Sequence, residues 1–165
     1  MTGCARIMKR GIRLKLATTF VLPIFFLAFD NAAAQPAEPW TEAQLIQPAA
    51  LAARLKDSGA AKPKILYVGP QVLYRGNHIP NAQFVGMAAR LQGLEALRQA
   101  AAALPREEEV VIYCGCCPWK ECPNIRPAFR LLQQMGFKQA KVLALPTNFL
   151  KDWIEKGYPI VKGGS

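Results

Sequence analysis

The chain has 165 residues, 52% of them apolar and 19% charged, with a formal net charge of +10. That length fits one domain, and so apolar a composition can offset the ordering entropy of a packed core, which excludes an intrinsically disordered chain. Setting aside the N-terminal bases Arg6, Lys9, Arg10, Arg13 and Lys15, together with Asp30, leaves 16 basic and 10 acidic groups, a balance of +6. These are spread without an arginine-rich run or basic and aromatic interleaving, so a nucleic-acid surface is excluded, and what remains is a soluble basic surface or a preference for small oxyanions.

The first predicted element is an export signal over residues 1–34. The basic stretch is followed by an apolar run from Leu16 to Phe29, and then by Ala32, Ala33 and Ala34. Basic, apolar and small-residue parts in that order make a secretory signal, and a run of 14 residues, broken by Thr18, Thr19 and Pro23, is too short to span a bilayer comfortably. The expectation is cleavage after Ala34 and a periplasmic or secreted product, with membrane attachment only through an uncleaved signal. Met8 could serve as the start, since Lys9 and Arg10 still supply the basic part. Cys4 would leave with the signal.

Residues 35–47 read as a polar, proline-rich arm containing Trp40, and residues 48–163 as the folded domain. Its first helix is expected over Pro48 to Ser58, with Leu51 and Leu55 on one face and Gly59 as its stop. Lys64 to Val68 is a short β-rich run delivering its end to a loop at Gly69-Pro70. Residues 76–82 read as a turn and Gln83 to Val85 as a brief edge strand. Leu94, Leu97, Ala101 and Leu104 have helical spacing over Leu91 to Leu104, which Pro105 closes. Glu109 to Tyr113 is unbroken and β-branched, the pattern of a central parallel strand covered on both faces. A helix follows from Pro123 to Met135, stopped by Gly136. Lys141 to Leu145 is a further strand, and Asn148 to Lys156 a last short helix. Strands alternating with helices imply a small three-layer α/β domain around a parallel sheet, with its site at the carboxyl ends of the strands.

The loop from Cys114 to Arg126 lies at such an end and holds Cys114, Cys116, Cys117 and Cys122 within nine positions. A disulfide framework ties distant segments together, so this clustering favours a chemical site. A cysteine between a strand and a helix faces backbone amides, such as that of Gly115, and the positive end of a helix dipole. Both stabilise the thiolate and make Cys114 the candidate nucleophile. Lys120 and Arg126 are candidates to hold an anionic substrate, Arg126 by paired hydrogen bonds. Cys116, Cys117 and Cys122 could be resolving thiols or form a disulfide bracing the loop. Four thiolates could also bind zinc or a soft ion such as Cu(I), although Cys-x-Cys-Cys-x4-Cys is tight for a tetrahedral site, and no resident metal or cofactor is expected. His78 reads as a turn residue bonded to backbone, Trp153 as core, and Trp119 as either a cap on the site or an exposed tip.

The order strand, Tyr113-Cys114, loop, arginine, helix resembles the rhodanese family. Gly76-Asn77-His78-Ile79-Pro80-Asn81-Ala82 is similar to that family's Gly-His-Ile-Pro-Gly-Ala signature with one insertion. Gly136-Phe137, Val142-Leu143, Trp153 and Gly157-Tyr158-Pro159 resemble its C-terminal strand and tryptophan helix, so the likeness covers about residues 44–163. It implies a three-layer rhodanese-like fold with a small central parallel sheet and helices on both faces. It also implies a sulfurtransferase in which Cys114 accepts sulfane sulfur as a persulfide. The implied partners are a small sulfur-containing substrate and a thiol acceptor, small or on a partner protein. Three departures stand out: Arg126 lies twelve positions after Cys114, farther than in the family; Tyr67-Val68-Gly69 replaces Asp-Val-Arg; and Leu145-Pro146-Thr147 replaces a Gly-Gly. The alternative readings are a non-catalytic thiol-redox or soft-metal-binding module of the same fold, or an inactive interaction domain.

Overall fold

The computed structural model describes residues 38–163. The export segment, its cleavage point and the start of the arm lie outside the described residues. Among the described residues no helix is long and apolar enough to cross a membrane.

In chain order the elements are β1 (Leu45–Ile46), α1 (Pro48–Lys56), β2 (Lys64–Tyr67), α2 (Gln71–Gly76), β3 (Asn77–His78), β4 (Gln83–Phe84), α3 (Leu91–Ala102), β5 (Val110–Tyr113), α4 (Ile125–Gln134), β6 (Ala140–Leu143) and β7 (Val161–Lys162). Five strands form one parallel sheet in the order β1-β6-β5-β2-β4, with the buried β5 at its centre. β3 and β7 pair antiparallel as a separate two-stranded ribbon.

Side chains alternate across the sheet as a period of two requires. Leu66, Val68, Val110, Ile112 and Val142 point to the layer of Leu97 and Ala101 from α3 and Phe129 and Leu132 from α4. Ile65, Tyr67, Val111, Tyr113 and Leu143 point the other way, to Leu51 of α1, Tyr74 of α2 and Trp153. Both faces are therefore covered, which gives the three-layer α/β arrangement expected and explains why β5 is continuously apolar. Gly136 ends α4 as expected, with the Phe137 N–H bonded to the Leu132 carbonyl at 3.0 Å and the Gly136 N–H to that of Gln133 at 2.9 Å. That pairing satisfies two carbonyls the helix end would otherwise orphan.

Several expectations are corrected. The arm is not all outside the domain, because Leu45 and Ile46 pair with Val142 and Leu143 as an edge strand and Trp40 packs edge-on against Phe129 with ring centres 5.5 Å apart. The segment after Pro70 is helical rather than loop. α2 carries no amphipathic signal because Val72 and Leu73 face solvent, 75% and 43% exposed. Part of the turn at 76–82 pairs with Val161–Lys162, and strands of two residues show no periodicity to read. The last helix is a single wide turn over Leu150–Ile154. It is entered by the Thr147 and Asn148 N–H groups donating to the Asp152 carboxylate and left with the Trp153 indole donating to the Pro159 carbonyl at 2.8 Å.

At the amino end of β5, Glu109 accepts two hydrogen bonds from Arg54, at 2.9 and 2.8 Å, and pairs with Lys141 at 3.0 Å. The Arg54 hydrogen bond, then Lys141, holds the Glu109 carboxyl below its ordinary value against partial burial. A depressed acid stabilises the fold above its unfolded-state value, near pH 4.3, and loses that contribution as pH falls through the folded one. Glu109→Gln is expected to lower the unfolding free energy from urea denaturation at neutral pH by about 1 kcal/mol or less. The gap to the parent should close on acidification, and a gap that held constant down to about pH 3 would refute the linkage.

Candidate functional site

Parallel pairing aligns Tyr67 of β2 with Tyr113 of β5, so both strands release their chains at one edge of the sheet. Cys114 is the first residue beyond β5. It is only 2% exposed, yet it lines a pocket of about 350 Å³ together with Tyr67, Phe149 and Leu150. Two glycines make room for its sulfur. A Cβ at position 69 would lie 2.7 Å from both Cys114 Sγ and the Tyr67 hydroxyl, so a side chain there would displace the sulfur. Gly115 has a φ of +83°, and a Cβ on it would stand 2.6 Å from that of Phe149. This residue turns the chain so that Cys116 folds back onto Cys114, with their sulfurs 3.2 Å apart.

The side chain of Cys114 is packed in the apolar cluster of Leu66, Val68 and Ile112, and its sulfur also meets polar neighbours. The amide of Asn124, buried at the head of α4, donates to Cys114 Sγ at 3.4 Å and reaches Cys122 Sγ at 4.0 Å. Its orientation is fixed because its oxygen accepts the Ala89 N–H at 2.9 Å, leaving only the NH2 group to meet the sulfurs. The sulfurs of Cys114, Cys116 and Cys122 lie within 4.8 Å of one another, and Cys117 Sγ is 3.2 Å from Cys116 Sγ. All four are free thiols.

The amides at the helix head bear on a different sulfur from the one expected. The Cys114 thiol, and then the backbone N–H groups of Asn124 and Ile125, hold the pKa of Cys122 well below the ordinary thiol value despite its burial. Cys114 is pushed far up by its hydrogen bond with Cys122 and by its own burial, and burial raises Cys117. Fixed backbone amides at the start of α4 favour the anion on Cys122, and burial disfavours it on Cys114. The helix dipole invoked for Cys114 acts on Cys122 instead, since that residue is nearer the helix.

Neither cation expected at the anion position is there. Arg126 forms a paired ion bridge with Glu38, at 2.9 and 2.5 Å, donates to the Lys120 carbonyl and lies over the Trp40 ring. Lys120 is exposed and sits over the Trp119 ring. Among the described residues no lysine or arginine lines the pocket over Cys114, whereas Gly115 and Cys116 do. Trp119 is no cap on the site, for it packs on Trp40 with ring centres 5.4 Å apart. His78 is a structural turn residue, its Nδ1 bonded to the Tyr74 carbonyl at 2.9 Å and its ring stacked on that of Tyr74. Tyr67 stands where the family carries an acid, and its hydroxyl donates to the Pro70 carbonyl; burial raises its pKa. Sequence reasoning missed Asn124, Gly69 and Phe149. Of these, only Asn124 carried a signal, as a capping residue two positions after a cysteine.

Residues 47–145 match the sequence model of the Rhodanese-like domain family. The chain belongs to this family. A crystal structure of a protein from Anabaena sp. shares the fold with a TM-score of 0.56 at 20% identity, over 73% of this chain and 94% of that one. The rhodanese-like domain of an Anabaena sp. protein in solution gives 0.53 at 22% identity, over 72% and 79% of the two chains. A protein from Bacillus halodurans gives 0.54 at 17% identity, over 73% and 77%. At such identities the likeness is one of fold. No curated protein sequence matches the chain. Within the rhodanese-like domain, Cys114 follows the central strand, and three further thiols cluster beside it.

Proposed function

We propose that this rhodanese-like domain transfers sulfane sulfur through a persulfide on Cys114. The observation that carries the reading is that Cys114 lines the pocket at the strand exit, while Cys122 is fully buried behind it, in a position to take up its proton. When the Cys114 proton passes to Cys122, the Cys114 thiolate attacks the outer sulfur of a donor persulfide R–S–SH. A new S–S bond forms to Cys114, the donor bond breaks, and R–S⁻ leaves. An acceptor thiolate then attacks the outer sulfur of Cys114–S–SH, which forms the acceptor persulfide and returns Cys114 as thiolate.

A pocket walled by Tyr67, Phe149 and Leu150 without a cation suits organic persulfides or neutral polysulfide ends better than a small dianion such as thiosulfate. The export signal read in residues 1–34 would place this chemistry in the periplasm or outside the cell. Incubating the reduced chain with glutathione persulfide should add the mass of one sulfur atom, and the adduct should map to Cys114. Cys114→Ser should abolish that adduct. A gain that mapped only to Cys116, or that survived Cys114→Ser undiminished, would refute the role of Cys114.

A further inference from the structure

We propose that Cys114, Cys116 and Cys122 form a three-thiolate site for a soft d10 ion of the Cu(I) class. The inference goes beyond sulfur transfer and does not rest on it. Its basis is the placement of three sulfurs from three different backbone positions, the exit of β5, the loop after Gly115, and the approach to α4, all within 4.8 Å of one another. A three-coordinate ion with metal–sulfur bonds of about 2.3 Å places its ligands about 4.0 Å apart, so the observed triangle needs shifts of less than about 1 Å to close on such an ion.

The ligand chemistry selects the softness. All the donors in the triangle are sulfur, and among the described residues no histidine or carboxylate joins the group. The nearest polar side chain, Asn124, presents its NH2 group to the Cys114 and Cys122 sulfurs and cannot ligate through a donor nitrogen. It can instead hydrogen-bond two of the thiolates and hold them in place, as outer-shell groups do around metals. Thiolate-only sites of low coordination number favour Cu(I), whereas structural zinc takes four ligands. The fourth thiol, Cys117, contacts Cys116 but stands outside the triangle of the other three. Access is through Cys116, which is exposed while Cys114 and Cys122 are buried.

Entry of the ion as Cu(I) involves no change of oxidation state. It displaces the protons still held by the three thiols, which pass to solvent. Since the ion and the persulfide both need Cys114, occupancy by one excludes the other.

The test is an anaerobic titration of the reduced, metal-free full chain with Cu(I) against bicinchoninate, with Zn(II) against a zinc chelator in parallel. The expected result is one Cu(I) retained per chain and at least hundredfold weaker retention by Cys116→Ser, whose exposed position leaves the core intact. Cys117→Ser should retain Cu(I) like the parent, and X-ray absorption of the loaded chain should show sulfur neighbours only. Failure of the parent to compete, equal retention by the Cys116→Ser chain, or tighter zinc binding that needs Cys117 would each overturn the proposal. The persulfide adduct is measured on the metal-free chain, so either reading can fail without the other.

Discussion

Cys122→Ser is expected to slow the alkylation of Cys114 by iodoacetamide about a hundredfold near neutral pH, the scale of a lost proton acceptor, and to move the midpoint of the pH–rate profile upward. The sign follows from treating the two cysteines as one titrating pair. In the parent, backbone amides at the head of α4 let the pair lose a first proton at low pH, with the charge resting mainly on Cys122. Cys114 then reacts through the minor form in which that charge has moved to the pocket side. Without Cys122 the acceptor held by the α4 amides is gone, and burial opposes a charge on Cys114 itself. Removing the neighbouring anion also relieves a repulsion that raises Cys114, so the two effects oppose. Loss of the first ionisation dominates at neutral pH, because the amide-stabilised thiolate is then missing. Peptide mapping separates Cys114 from the exposed Cys116, and an unchanged or faster rate at Cys114 would sink the assignment of the resting charge.

This point divides what could be read from the sequence from what could not. The strand ending in Tyr113, the helix stop at Gly136 and the alternation of strands with helices were legible because each rests on local chemistry: β-branched residues, a left-handed cap, and periodicity. The position of Cys114 at the strand exit was legible for the same reason. Its electrostatics were not. A dipole argument applied to the residue after β5 overlooked that the loop spends eleven residues, 114–124, before α4 begins, so that the helix head meets Cys122. Arg126 misled in the opposite way. It stands in the first turn of α4 as the family pattern suggests, but a carboxylate from Glu38, far away in sequence, claims its guanidinium, and no local pattern reports a partner that distant. α2 was invisible because its apolar side chains point outward toward the pocket mouth, where Val72 and Leu73 line the cavity.

Gly115→Ala is expected to destabilise the domain by about 2–4 kcal/mol, at the upper end of single substitutions, and to suppress sulfur loading of Cys114 in the fraction that stays folded. Two costs act together. A residue with a Cβ held at a φ of +83° carries about 1–2 kcal/mol of backbone strain. The new methyl would also stand 2.6 Å from the Cβ of Phe149, which cannot retreat easily because its backbone N–H is bonded to the Gly115 carbonyl at 3.0 Å and its ring stacks on that of Trp153 in the core. Relief must come from the loop, and the residue that swings with it is Cys116, whose sulfur sits beside that of Cys114. Fold and site are therefore strained through one atom. Urea denaturation gives the first effect and the mass of the glutathione-persulfide adduct the second. Gly136→Ala serves as the comparison, because its φ is also positive while nothing crowds its Cβ position, so it should carry the backbone cost alone and leave loading untouched. Equal destabilisation by the two substitutions, with loading intact in both, would show that Phe149 does not press on the loop and that the cysteine cluster is held by other contacts.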